Sequence, residues 1–133
     1  MAEQARVLVD TCVWASFFKR SQSREKDSVR WLVRRNRAAI VGPVLSEVLI
    51  GIRNRAHADW AASALRGISW FDLSWDDWRE AAHLGRRMAA VGHALPLTDL
   101  VVAAVALRKD CEVFSTDPHF DVIPDLKRYR HDD

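Results

Sequence analysis

The chain has 133 residues, 49% of them apolar and 29% charged, with a formal net charge of +2. That length suits one domain with room for a core, spanning 1–133, and the composition excludes a disordered or fibrous chain. Two cysteines with no CxxC spacing exclude a disulfide framework and a zinc site, so Cys12 and Cys111 read as small buried hydrophobes.

The N-terminal MAEQARVLVD lacks the apolar core of a signal peptide, and the longest apolar run, Leu100 to Leu107, is too short to cross a bilayer. The expected compartment is the cytoplasm. In chain order, Arg6 to Val9 reads as a short buried strand. Thr11 to Lys19 continues as a helix with Val13, Trp14, Phe17 and Phe18 on its apolar side. Ser23 is placed to cap a second helix running to about Arg35, its buried face made by Val29, Trp31, Leu32 and Val33. Ala38 to Val41 is a second strand, stopped by Gly42-Pro43. A helix follows from Pro43 to about Asn54 with Leu45, Val48, Leu49 and Ile52 inward, and another spans about Ala56 to Leu65. Ile68 to Leu73 is a third strand. Ser74 with Asp77 resembles a capping box opening the helix Trp75 to Val91, with Gly92 as its C-cap. Leu97 to Lys109 is an apolar helix buried on most sides, Glu112 to Ser115 a fourth strand, and the pattern allows a short fifth near Leu126 to Tyr129.

Strands alternating with helices imply an α/β fold, a parallel sheet of four or five strands with helices on both faces. Ligands of such open sheets gather at the carboxyl ends of the strands. Four lone acids interrupt or directly follow apolar runs: Asp10 in RVLVDTCVW, Glu47 in PVLSEVLIG, Asp99 in LPLTDLVVAAVAL and Asp117 in VFSTDPHF. The predicted topology lets all four reach that one edge.

An unpaired buried carboxylate costs several kcal/mol. Two carboxylates about 4 Å apart repel by roughly 4 kcal/mol at an effective dielectric near 20. With no basic partner of its own, the cluster calls for a hard dication, Mg²⁺ or Mn²⁺. Such a centre suits phosphodiester hydrolysis, because the ion orients and acidifies water while screening the phosphate. Taken singly, each acid has another reading: Asp10 and Asp99 as helix caps, Glu47 as an exposed helix residue, Asp117-Pro118 as a turn opener.

The order VLVDTCVW, SEVLIG, PLTDLVVAAVA, FSTDPHF, from Val7 to Phe120, resembles the PIN-domain ribonucleases, and in size the VapC-type toxins of toxin–antitoxin pairs. The resemblance implies an α/β/α sandwich and a Mg²⁺- or Mn²⁺-dependent endoribonuclease acting on RNA. It puts Asp10, Glu47, Asp99 and Asp117 at the family's acidic positions. Asp10 and Asp99 are expected to ligate metal directly, Asp117 directly or through water, and Glu47 to hold a metal water or act as general base. Ser115-Thr116-Asp117 stands where the family often has Thr-x-Asp, and Asp121 offers an additional or substitute carboxylate. Thr11 and Ser115 are expected to donate hydrogen bonds to the carboxylates or the scissile phosphate. Similar toxins form homodimers silenced by a small VapB-like antitoxin, which commonly inserts an arginine or apolar segment into the acidic groove. The alternative is a catalytically inactive PIN-like RNA-binding or scaffold module. A phosphoacceptor receiver domain fits poorly, since Val9 and Thr11 flank Asp10 where a second acid is needed.

Trp31, Trp60, Trp70, Trp75 and Trp78 read first as core or dimer packing and second as base-stacking platforms. His83, His93 and His119 share no metal-ligand spacing, and His119 reads as a turn contact or a substrate contact. Lys19, Arg20, Arg24, Lys26, Arg30, Arg34, Arg35 and Arg37 form a basic segment, and Lys127, Arg128 and Arg130 a second cluster; either holds a polyanion or is a solvated face.

Overall fold

The computed structural model describes residues 5–19 and 22–130, so Arg20 of the basic segment lies outside the described residues. Four short strands, β1 (Val7–Val9), β2 (Ala38–Ile40), β3 (Ser69–Trp70) and β4 (Glu112–Phe114), form one parallel sheet in the order β3-β2-β1-β4. The helices are α1 (Thr11–Lys19), α2 (Arg24–Arg34), α3 (Gly42–Ile50), α4 (Arg55–Leu65), α5 (Trp75–Ala90) and α6 (Leu97–Lys109), completing the α/β/α arrangement. β1 and β2 are buried along their whole length, as strands covered on both faces require.

The strand order reverses beside β1. The chain builds outward from β1 through β2 to β3, then returns over α5 and α6 to place β4 on the other side of β1. Ligands of open parallel sheets gather at such a reversal, at the carboxyl ends of the strands, here those of β1 and β4.

Local chemistry sets the helix ends. Ser23 accepts from the Lys26 amide at 3.0 Å, and Ser74 and Asp77 make both bonds of a capping box. Gly92, at φ +93°, turns the chain after α5 where a side chain would be strained. α5 and α6 approach so closely at Gly85 that a Cβ there would stand 2.9 Å from Leu100 Cδ1.

Five expectations are corrected. α3 stops at Ile50, because Asn54 instead caps α4, accepting from the His57 amide at 2.9 Å. The third strand shrinks to Ser69–Trp70 at the sheet edge, with Phe71 donating once more to Ile40 O. No fifth strand forms among the described residues: Pro124 has no N–H and Asp125 adopts φ +65°, leaving an isolated bridge between Val113 and Arg128. On α2 only Val29 and Leu32 are buried, while Trp31 and Val33 are exposed. Of the six tryptophans only Trp14 is in the core. Trp31, Trp60, Trp70, Trp75 and Trp78 are exposed, which removes the core-packing reading for those five.

The basic segment divides between opposite edges of the sheet. Arg37 precedes β2, donates to Ala5 O at 2.9 Å, and with Arg35 lies over the Trp31 ring at the amino edge. The start of α2 is at the other edge, where Glu25 lines a cavity with Cys12 and Thr116. No helix is long and apolar enough to cross a membrane among the described residues.

Candidate metal centre

Asp10 is the single residue between β1 and α1. Its amide donates to Phe114 O at 2.9 Å, and its carbonyl accepts from Val13 and Trp14, so its backbone is locked by sheet and helix together. The side chain is buried, with the residue 2% exposed. Oδ2 accepts from Ser115 Oγ at 2.8 Å and from Cys12 Sγ at 3.4 Å. Oδ1 is buried with no hydrogen-bond partner among the described residues.

Ser115 reaches Asp10 because β1 and β4 are paired neighbours, with Val9 opposite Phe114. Its hydroxyl also accepts from the Asp117 amide at 3.0 Å, so one oxygen ties the Asp10 carboxylate to the loop that carries Asp117. Asp117 caps the 3-10 turn Pro118–Val122, its Oδ1 accepting from the His119 amide at 2.9 Å. Asp99 lies in the first turn of α6, favoured there by the helix dipole, and is buried.

His119 joins the two loop acids. Its Nδ1 stands 2.7 Å from Asp99 Oδ2 and 3.2 Å from Asp117 Oδ1. One donor atom from each of Asp99, Asp117 and His119 lies within 4.8 Å of the others. This corrects the expectation of a cluster without a basic partner. The turn contact expected of His119 is made by its amide, and its ring faces the acids. The available signal was Asp117-Pro118-His119, a turn sequence that folds residue 119 back onto the acid.

Burial is the leading cause that raises the Asp10 carboxyl above the ordinary 3.8; Ser115, the Thr11 backbone and Cys12 oppose it, and the Asp117 charge adds to it. Asp99 is likewise raised, first by burial and then by the charges of Asp10 and Asp117, against the hydrogen bond from His119. His119 is raised above 6.5, chiefly by its bond to Asp99 and further by Asp117 and Asp10. Asp99, Asp117 and His119 make the tight group, and Asp10 stands outside it, linked to it by its charge and by Ser115. Carboxylate oxygens with an orphaned buried lone pair and an unfavourable shared charge are a donor set that a divalent cation satisfies.

The remaining candidates stand around this unit. Glu47 is exposed on α3, its Oε1 accepting from Thr11 Oγ1 at 2.9 Å, which places it at the rim rather than in the tight group. Thr116 Oγ1 donates to Cys12 Sγ at 3.4 Å. Cys12, half-buried against the core, also belongs to a polar network, whereas Cys111 is buried as expected. Asp121 is held by Arg128 Nη1, and Arg128 Nη2 donates to Ser115 O at 2.8 Å, so Asp121 acts on the loop through Arg128.

Comparison with known proteins gives the family. Ribonuclease VapC11 of Mycobacterium tuberculosis is 28% identical over 123 residues, which is 88% of this chain and 90% of the relative. The VapBC2 structure from Rickettsia felis, bound to a promoter DNA fragment, superposes with a TM-score of 0.80 at 18% identity, covering 95% of this chain and 98% of that one. The M. tuberculosis toxin VapC20, described as cleaving the sarcin–ricin loop, has a TM-score of 0.67 at 20% identity, covering 89% and 95%. The profile of the PIN domain matches residues 7–126, nearly the whole chain, with the Asp10, Asp99 and Asp117 crevice inside the matched span. The chain belongs to the PIN domain family.

Proposed function

We propose that this chain, as one PIN domain over 1–133, is a Mg²⁺- or Mn²⁺-dependent endoribonuclease toxin of the VapC kind, restrained by a cognate antitoxin. The observation that carries it is the buried Asp10 Oδ1, without a hydrogen-bond partner among the described residues and linked by charge and by Ser115 to the group of Asp99 and Asp117. The ribonuclease name of the mycobacterial relatives supports the reaction, and the VapBC complex from R. felis supports the antitoxin.

Asp10 and Asp99 would hold the ion, with Asp117 assisting directly or through water. When bound, the ion offsets charge on the scissile phosphate and makes a water a better nucleophile. Ser115 keeps Asp10 oriented, the supporting role that a neighbouring hydrogen bond plays for a metal ligand. Glu47, aligned by the Thr11 hydroxyl and open to solvent, is placed to take a proton from water as general base. Arg24 and Lys26 flank Glu25, which lines a cavity with Cys12 and Thr116, and their charge would attract the RNA backbone that the acids alone would repel. The exposed tryptophans supply apolar area for a homodimer or for the antitoxin. A cytoplasmic setting, where RNA is at hand, completes the reading.

Sequencing of RNA ends after controlled expression of the wild type and of Asp10→Asn tests it. Cuts are expected that need Mg²⁺ or Mn²⁺ in the purified protein and vanish with EDTA or the substitution. Equal cutting by both proteins would overturn the proposal.

A further inference from the structure

The acidic roles assigned above leave one donor unused, the His119 ring. We propose that His119 is itself a ligand of the ion, so that the centre has one nitrogen beside its carboxylate oxygens and favours Mn²⁺ over Mg²⁺ more strongly than an all-oxygen site would. This rests on the reading that the centre holds a divalent cation.

The geometry comes first. In an octahedral shell with bonds of about 2.1 Å, adjacent ligand atoms stand about 3 Å apart. The separations from His119 Nδ1, 2.7 Å to Asp99 Oδ2 and 3.2 Å to Asp117 Oδ1, bracket that spacing. The backbone that carries the ring is held from both sides. Pro118 fixes the backbone before it, its own amide bonds Asp117 Oδ1, and Phe120 after it is buried in the core. An imidazole already aimed at two carboxylate oxygens needs no change of rotamer to meet an ion between them.

A separate observation points to a cation here: the buried Asp10 Oδ1 has no hydrogen-bond partner among the described residues, and Ser115 Oγ joins the Asp10 carboxylate to the Asp117 amide. Ligand chemistry then decides which ion gains. Mg²⁺ prefers oxygen donors and keeps its waters, whereas imidazole nitrogen suits the later divalent metals. The competing role for His119 is a positioning one, with Nδ1–H donating to Asp99 and only oxygens reaching the ion.

Pulsed electron paramagnetic resonance on the wild-type protein carrying one equivalent of Mn²⁺ separates the two. The expected spectrum shows the nitrogen-14 coupling of a directly bound imidazole. In His119→Gln that coupling is lost while Mn²⁺ still binds, and the ratio of Mn²⁺ to Mg²⁺ affinity, measured by calorimetry, falls about tenfold. Bound Mn²⁺ without nitrogen coupling in the wild type overturns the proposal and leaves the ribonuclease reading standing. Coupling that persists in His119→Gln assigns the nitrogen to another histidine and also overturns it. Failure of Mn²⁺ and Mg²⁺ to bind at all overturns both readings. Should His119→Gln not fold, the wild-type spectrum alone decides.

Discussion

Asp77 and Asp10 are both buried aspartates beside a helix start, and they are built to opposite ends. Asp77 accepts from the Ser74 amide and hydroxyl at 2.9 and 3.0 Å, and Arg108 Nε stands 3.3 Å from its other oxygen. Its charge is paired and its lone pairs are used, so it serves the α5 N-terminus and its contact with α6. Asp10 is at least as buried, yet one oxygen has no hydrogen-bond partner among the described residues and the Asp117 charge works against its own. A carboxylate satisfied by the fold is structural. One left unsatisfied by the fold waits for something the fold does not contain.

The sharpest way to break that contrast is to neutralise each acid. Asp10→Asn should lower RNA cleavage at least about a hundredfold, as loss of a metal ligand does. The melting temperature of the metal-free protein should hold or rise, because a poorly compensated buried charge is removed. Asp77→Ala should do the reverse, losing about 1–3 kcal/mol of stability through the cap and the stranded Arg108 while cleavage below the melting point persists. Thermal melts paired with cleavage assays check both.

Asp10 and Asp99 carry a pH signature. Because Asp10 and Asp99 are raised above 3.8 in the folded state, the fold binds more protons than the unfolded chain above that value. Their stabilising contribution is complete below 3.8 and is lost as pH rises through the raised values. Asp10→Asn should flatten that loss in metal-free melts, and added Mn²⁺ should restore stability near neutrality.

Smaller effects sharpen the contrast. Ser115→Ala removes the hydroxyl that joins Asp10 to the Asp117 amide and should weaken Mn²⁺ binding about tenfold in calorimetry. Arg128→Met keeps most of the volume over Phe120 but releases Ser115 O and Asp121. It should cost about 1–3 kcal/mol in denaturant unfolding, with a weaker effect on cleavage than Ser115→Ala. An unchanged Mn²⁺ affinity in Ser115→Ala would mean that Asp10 is held by burial alone.

Much of this was legible in the residues. The strand VLV followed at once by Asp10, and the apolar helix interrupted by Asp99, mark acids that the hydrophobic pattern cannot bury without a reason. Their meeting depends on which strands are neighbours, and the β3-β2-β1-β4 order supplies that. The role of His119 is not legible in spacing along the chain, because its partner Asp99 lies twenty residues away across a helix and a strand. The tryptophans misled for a related reason. Helical periodicity identifies an apolar face but cannot say whether another element covers it, and Trp60 and Trp75 remain open to solvent.

By itself the sequence determined the alternation of strands and helices, the caps at Ser23 and Ser74, and which carboxylates stand among apolar neighbours. These are local matters, settled by side-chain chemistry within a turn or two. Only the tertiary structure decided that β4 lies beside β1, that Ser115 reaches Asp10, and that His119 faces Asp99. Those contacts join residues far apart in the chain, and the packing of the whole sheet and its helices selects them.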